Sequence, residues 1–165
     1  MTCMILYDFN MIYHMSHVLR CTFAGHRLCP NKIYDNLYNE TEKLINSGVC
    51  EFLVGTHGEF DKMAYKVCLS LREIYPHIKI SLVLTNLNLN KDDEYFYKSM
   101  NIERFSYEIE QFHYKQRITK SNEFMVDDVD FVIAYVDEDI NSSGAYKTLK
   151  YAKKKNKTII NLFNS

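Results

Sequence analysis

"CEFLVGTHGEFD", residues 50–61, decides the fold. CEFLV (50–54) reads as a short buried strand, and Gly55 and Gly58 break it. Asp61 then precedes a helix whose apolar stripe is Ala64, Val67, Cys68, Leu71 and Ile74, ending at Tyr75-Pro76. Strand, glycine loop and amphipathic helix follow one another, and the same order recurs along the chain.

Upstream, VLRCTF (18–23) is strand-like, and Cys29-Pro30 opens a helix with Tyr34, Leu37, Tyr38, Thr41, Leu44 and Ile45 at helical spacing. Ser47-Gly48 is its stop. Downstream, the unbroken apolar run IKISLVL (78–84) predicts a strand buried on both faces. An Asn-rich loop leads to a weak helix over 94–100, a short strand near 102–107 and a helical pattern over 112–126. DFVIAYV (130–136) is the clearest strand. Ser143-Gly144 opens the last helix, with Leu149 and Ala152 inward, and TIINLF (158–163) closes the sheet. Alternating strands and helices predict an α/β fold: a single Rossmann-like domain, mainly parallel, with helices on both faces and right-handed crossovers.

At 165 residues and a net charge of −1, the chain is sized for one domain and has no general attraction for polyanions. Nucleic acid is therefore not expected as a partner. The five cysteines show no C-x-x-C pair and no zinc spacing, which predicts reduced thiols, no metal and a cytoplasmic setting. Residues 1–15 are apolar but too short to span a bilayer and carry Asp8. They are expected to form an N-terminal extension or arm, with the domain over 16–165 and no membrane contact.

Four of the five glycines (Gly25, Gly55, Gly58, Gly144) fall in loops between a strand and the next helix. In an open parallel sheet those loops crowd the carboxyl edge, where ligands bind. Glycine there admits backbone N–H groups to a phosphate, and the following helix N-terminus adds a favourable dipole. Neither G-x-x-x-x-G-K-[ST] nor G-x-G-x-x-G is present, which disfavours a P-loop enzyme and a standard dinucleotide oxidoreductase.

Four ordered blocks, CTFAGHR (21–27), FLVGTHGEFD (52–61), KSNEFMVDDVDFVIAYV (120–136) and SSGAYKTLKYAKKKNKTIINL (142–162), resemble the SLOG superfamily of Rossmann-like nucleotide-binding domains. They are most similar to the YpsA-like group. The resemblance implies a nucleotide-derived ligand at the carboxyl edge, no cofactor, and pairing into a homodimer. Carried over by position, it implies a ligand site built from Gly25, His26 and Arg27; Gly55, Gly58 and Asp61; Asn122 and Asp127; and Ser143, Gly144 and Thr148. The sequence departs from the family pattern at Thr56 and His57, at Lys120-Ser121, and at Ser143 and Ala145, all of which narrow the space for a phosphate.

On physical grounds Arg27 is the anion contact, and Asp61 accepts from a ribose hydroxyl or base donor. Asp61 also suits a helix N-cap. His26 fits a ligand contact or a loop-fixing hydrogen bond, and His57 a ligand contact or an exposed loop position. Tyr146 reads as a surface aromatic or a base-stacking ring. The expectation is a non-catalytic sensor or regulatory module for a signalling nucleotide. The alternative, an N-glycoside hydrolase like the related LOG branch, needs a carboxylate near the anomeric carbon. Lys150 stands where that branch has its glutamate, which leaves Glu59 or Asp61. A DNA-processing role is the third reading.

Overall fold

The computed structural model describes residues 17–85, 98 and 102–164. Both the expected arm over 1–15 and the expected helix over 94–100, Lys98 apart, lie outside them.

Six strands form one sheet, all parallel: β1 (Arg20–Gly25), β2 (Glu51–Val54), β3 (Lys79–Val83), β4 (Glu103–Phe105), β5 (Phe131–Tyr135) and β6 (Thr158–Asn161), in the order β4-β3-β2-β1-β5-β6. Among the described residues the α-helices are α1 (Tyr34–Asn46), α2 (Glu59–Ile74), α3 (Arg117–Asp127) and α4 (Gly144–Lys154). The α/β Rossmann-like expectation holds. No described helix is long and apolar enough to cross a membrane.

The strands read as continuous apolar runs because side chains alternate between two buried faces. On β1, Cys21 and Phe23 join the larger core with Leu37 of α1 and Val67 and Leu71 of α2, while Ala24 joins Met125, Val126 and Ala152 on the α3/α4 face. Burying each large apolar side chain is worth about 1.5–3 kcal/mol, and Phe52, Phe60 and Ile133 are almost fully enclosed. Ile74, expected in the α2 stripe, is instead 59% exposed at the helix end.

The boundaries moved in two places that bear on the site. β1 runs to Gly25 rather than Phe23, so the first loop starts at His26. α2 begins at Glu59, with Gly58 at the N-cap in a left-handed conformation (φ 102°), so Asp61 is the third helical residue and not the cap.

The sheet order places β1 between β2 and β5, and the chain leaves these strands in opposite directions. Their C-terminal loops therefore diverge and leave a crevice at the carboxyl edge.

Candidate functional site

The first loop is tied down by its histidine. His26 donates its backbone N–H to the Tyr135 carbonyl (3.2 Å), and the Asp137 N–H donates to His26 Nε2 (2.8 Å). An N–H can only donate, so Nε2 carries a lone pair here and the ring joins the ends of β1 and β5. The imidazole also stands edge-on to Tyr135 and Phe163. Gly25 lines the crevice, but its bareness serves packing: a Cβ there lies 2.3 Å from the Phe60 ring. The expected room for a phosphate at that atom is Phe60's room. Arg27 has its carbonyl pinned by the Glu59 N–H (2.8 Å), while its exposed guanidinium bonds to no described residue. A Cβ on Gly58 lies 3.0 Å from the Arg27 Cα, so this glycine both sets the turn and admits the first loop.

The second loop presents a carboxyl group. Asp61 Oδ2 accepts the His57 N–H (2.8 Å), reaching back over the start of α2. Burial pushes the Asp61 carboxyl up to about 7, against the downward pull of that hydrogen bond. The His57 ring bonds through Nε2 to Thr85 Oγ1 (2.8 Å) beyond β3. Burial, then the Arg27 charge, hold this imidazole below its ordinary value. Near neutral pH the bank thus offers a neutral imidazole and a carboxyl that is only partly ionised.

The opposite bank comes from α3 and α4. Ser143 caps α4, its Oγ accepting the Tyr146 N–H (3.0 Å). The Gly144 and Ala145 N–H groups have no acceptor within the helix and carry its positive dipole end. Nothing lies within 4 Å of a Cβ built on Gly144. Asn122 Nδ2 donates to Thr148 Oγ1 (3.3 Å), which donates to the Gly144 carbonyl (3.1 Å), so α3 braces the start of α4.

These groups enclose a cleft of about 480 Å³ lined by Gly25, His26, Arg27, His57, Asp61, Asn122, Ser143, Gly144 and Thr148, all expected at the site. Phe23, Ala24, Lys115, Ile118, Thr119 and Ala145 complete it, unforeseen. Ile118, Thr119 and Asn122 share one face of α3, and Lys115 joins them from the 3-10 turn (Tyr114–Gln116) just before it. Their i, i+3, i+4 and i+7 spacing is the signal available in the sequence.

The other expected residues sit elsewhere. Gly55 lies behind Asp61, and Gly58 behind Arg27. Asp127 is exposed at the far end of α3, bonded to Tyr151 and paired with Lys155 (2.8 Å). Glu59 accepts the Cys29 N–H (3.2 Å) and lines a second cavity of about 670 Å³ with Pro30, Tyr34, Lys62 and Lys66. That cavity is the larger, yet it lies between α2 and the start of α1, away from the switch point. Tyr146 packs against Ala134, Val136 and Leu149 and does not line the cleft. No described group of three His, Cys, Asp or Glu is placed to hold a metal ion.

No curated protein matches the chain. Among solved structures it is similar to the DNA processing protein A of Helicobacter pylori, described for its single-stranded DNA binding mode: TM-score 0.60, 17% identity, covering 86% of this chain. The chain spans only 63% of that protein's chain, and at this identity the likeness is one of fold. The model of the YspA SLOG family, YpsA, matches residues 21–164. Its match runs from the first strand through the last, across every loop that forms the cleft, and the chain belongs to the YpsA SLOG family.

Proposed function

We propose that this chain binds a nucleotide or nucleotide-derived small molecule in the switch-point cleft, as a non-catalytic sensor or regulatory module. One observation carries the reading. The Arg27 guanidinium, unpaired among the described residues, shares the cleft with Lys115 and with the two unclaimed N–H groups that open α4. The only carboxyl among the described lining residues is Asp61, which burial keeps partly protonated near pH 7. That balance favours an anion, and a cleft of about 480 Å³ is of the size that small-molecule ligands occupy.

Binding is favoured over cleavage because glycoside hydrolysis ordinarily employs two carboxyl groups. Of the two considered, Glu59 faces the second cavity. Pairing of two copies belongs to the same proposal, and light scattering on the purified chain decides it.

The test is a thermal-shift and calorimetric screen of nucleoside mono- and diphosphates, with Arg27→Ala alongside. Stabilisation by at least one nucleotide, lost in the variant, supports the reading. No stabilisation by any of them at millimolar concentration overturns it.

A second reading, single-stranded DNA, is favoured by an exposed stack beside the cleft. The His113 and Tyr114 rings lie 4.6 Å apart and Lys115 Nζ sits 5.8 Å over the Tyr114 ring, with Tyr114 66% exposed. Aromatic rings interleaved with cations suit stacked bases. A labelled oligothymidylate that binds at low salt, and loses affinity in Tyr114→Ala, supports it; absence of binding at low salt overturns it.

A further inference from the structure

Asp61 is an anomaly in a site for anions. It is the one carboxyl among the described groups lining a cleft whose other charges, Arg27 and Lys115, are positive. An ionised carboxylate repels a phosphate, so its place needs a different partner on the ligand.

The surroundings fix where that carboxyl points and what it does. Oδ2 is committed to the His57 N–H at 2.8 Å. Position 55 is bare, since a Cβ there lies 2.6 Å from Oδ2. The His57 ring is anchored in turn on Thr85 at 2.8 Å. The His57 N–H thus holds one oxygen in a seat that Gly55 leaves open, and Oδ1 bonds to no described residue. A preorganised carboxyl with one free oxygen at a cleft wall is an acceptor for a ligand donor.

We infer that Asp61 reads the ribose hydroxyls, so that the cleft takes ribonucleotides in preference to their 2′-deoxy counterparts. The inference rests on the nucleotide reading above. The phosphate goes to the bank with free N–H groups and no carboxyl, at Gly144 and Ala145, while Arg27, packed against Gly58 and Glu59, lines the same cleft from the α2 side. A nucleotide crossing from that bank to α2 brings its sugar to Asp61, because the hydroxyls share the ring that bears the 5′-phosphate. Phe23, Ala24 and Ile118 supply apolar wall for the base.

A rival donor is an exocyclic base amine, and the experiment separates the two. Calorimetric affinities of AMP, dAMP and IMP are measured for the whole chain and for Asp61→Asn, with melting temperature as the control for folding. Losing a hydrogen bond to a buried carboxylate costs tenfold or more in affinity, about 1.4 kcal/mol per decade. AMP and IMP are expected to bind alike and at least about tenfold tighter than dAMP. Asn keeps an acceptor for the His57 N–H but turns an amide donor to the sugar, so the AMP-to-dAMP ratio falls towards one without loss of melting temperature.

The ratio also carries a pH signature that a purely structural Asp61 would lack. Burial lifts this carboxyl to about 7, and the ionised form is the stronger acceptor, so the ratio grows as pH rises from about 6 to about 8. The charged or titratable groups lining the same cleft are His26, Arg27, His57 and Lys115. They and the nucleotide phosphate act on AMP and dAMP alike and cancel in the ratio.

Equal binding of AMP and dAMP overturns the inference and leaves nucleotide binding standing. Discrimination between AMP and IMP without discrimination against dAMP overturns it in favour of the base amine. A ratio that survives Asp61→Asn, or stays flat with pH, also overturns it. Binding of none of the three overturns this inference, and the nucleotide reading falls with it only if the wider screen of mono- and diphosphates is also blank.

Discussion

A β-carbon built on Gly55 lies 2.6 Å from Oδ2 of Asp61, so the absence of a side chain at one residue creates the seat of the carboxyl at the other. Gly55 is buried and its backbone is not left-handed, so conformation alone does not require glycine there. Space does. Gly55→Ala is therefore expected to displace the Asp61 carboxyl and loosen its bond to the His57 N–H. Overpacking of this kind costs about 1–3 kcal/mol, measured as a shift in the urea midpoint. An unchanged midpoint would mean that the loop yields without resistance.

The raised carboxyl makes a pH prediction with a definite sign. An unfolded Asp titrates near 4 and Asp61 in the fold near 7, so between those values the folded chain holds more protons. Stability from this group then falls as pH rises from about 4 to about 7, and stays at its lowest above that window. The full effect is on the order of 3–4 kcal/mol as an upper bound. Asp127 and Asp130 act in the opposite direction. Burial alone would push both up, but hydrogen bonds from Lys155 and Tyr151 to the first, and from His17 and the Arg20 N–H to the second, hold them low. Their stabilisation is present at neutral pH and is lost as pH falls through their lowered values. The diagnostic quantity is thus the difference between Asp61→Asn and the parent. Asp61→Asn should be the more stable at about pH 7.5 and lose that advantage by about pH 4.5. A constant difference across the range would show that Asp61 ionises normally.

His26 makes a prediction that separates scaffold from ligand contact. Its Nε2 accepts the Asp137 N–H at 2.8 Å, and among the described residues that is the side-chain bond that fixes the loop leaving β5 to the loop leaving β1. His26→Phe keeps an aromatic ring against Tyr135 and Phe163 but removes the acceptor. A loss of about 1 kcal/mol is expected. Hydrogen exchange at the Asp137 amide should accelerate in step. Exchange that stays slow at Asp137 would mean the bracket does not hold this loop.

The fold was open to reading because each buried parallel strand is a short apolar run closed by glycine or a polar loop, as in FLVG and FVIAYV. Exact ends were less open, since they depend on backbone angles that no side-chain pattern carries. Gly58 at φ 102° starts α2 at Glu59, and nothing in the letters distinguishes that from a start after Asp61. Most of the lining of the candidate cleft was legible for the same reason as the fold: strand-end loops must meet at a switch point. The misplacement of Asp127 is a helical-geometry error. Five residues separate it from Asn122, about 140° around the helix and roughly 7.5 Å along it, so both cannot line one wall. Lys115 and Thr119 were missed because they lie in the 3-10 turn (Tyr114–Gln116) and the α3 helix that follows it, with no glycine motif ahead of either. Gly25 looked like a phosphate seat because the strand-to-helix packing that claims it involves Phe60, which is 35 residues distant.

Gly25 and Gly144 now predict opposite outcomes for the same substitution. At Gly25 the new methyl would lie 2.3 Å from both Cγ and Cδ1 of Phe60, a ring fully buried between α2 and β1. A rigid aromatic in a close-packed core cannot step aside, so Gly25→Ala is expected to cost about 3 kcal/mol or more. At Gly144 the methyl meets nothing within 4 Å and points into open space at the first position of α4. Alanine also suits a helix better than glycine, so Gly144→Ala should leave stability within about 0.5 kcal/mol of the parent. It nonetheless adds bulk to the cleft wall beside the unclaimed N–H groups. If the phosphate is held there, Gly144→Ala weakens nucleotide binding severalfold while the urea midpoint stays put. Parallel denaturation and calorimetry on the two variants check this directly. Retained affinity in Gly144→Ala would place the phosphate away from α4, whereas loss of both stability and affinity at Gly144 would show that its bareness serves the fold.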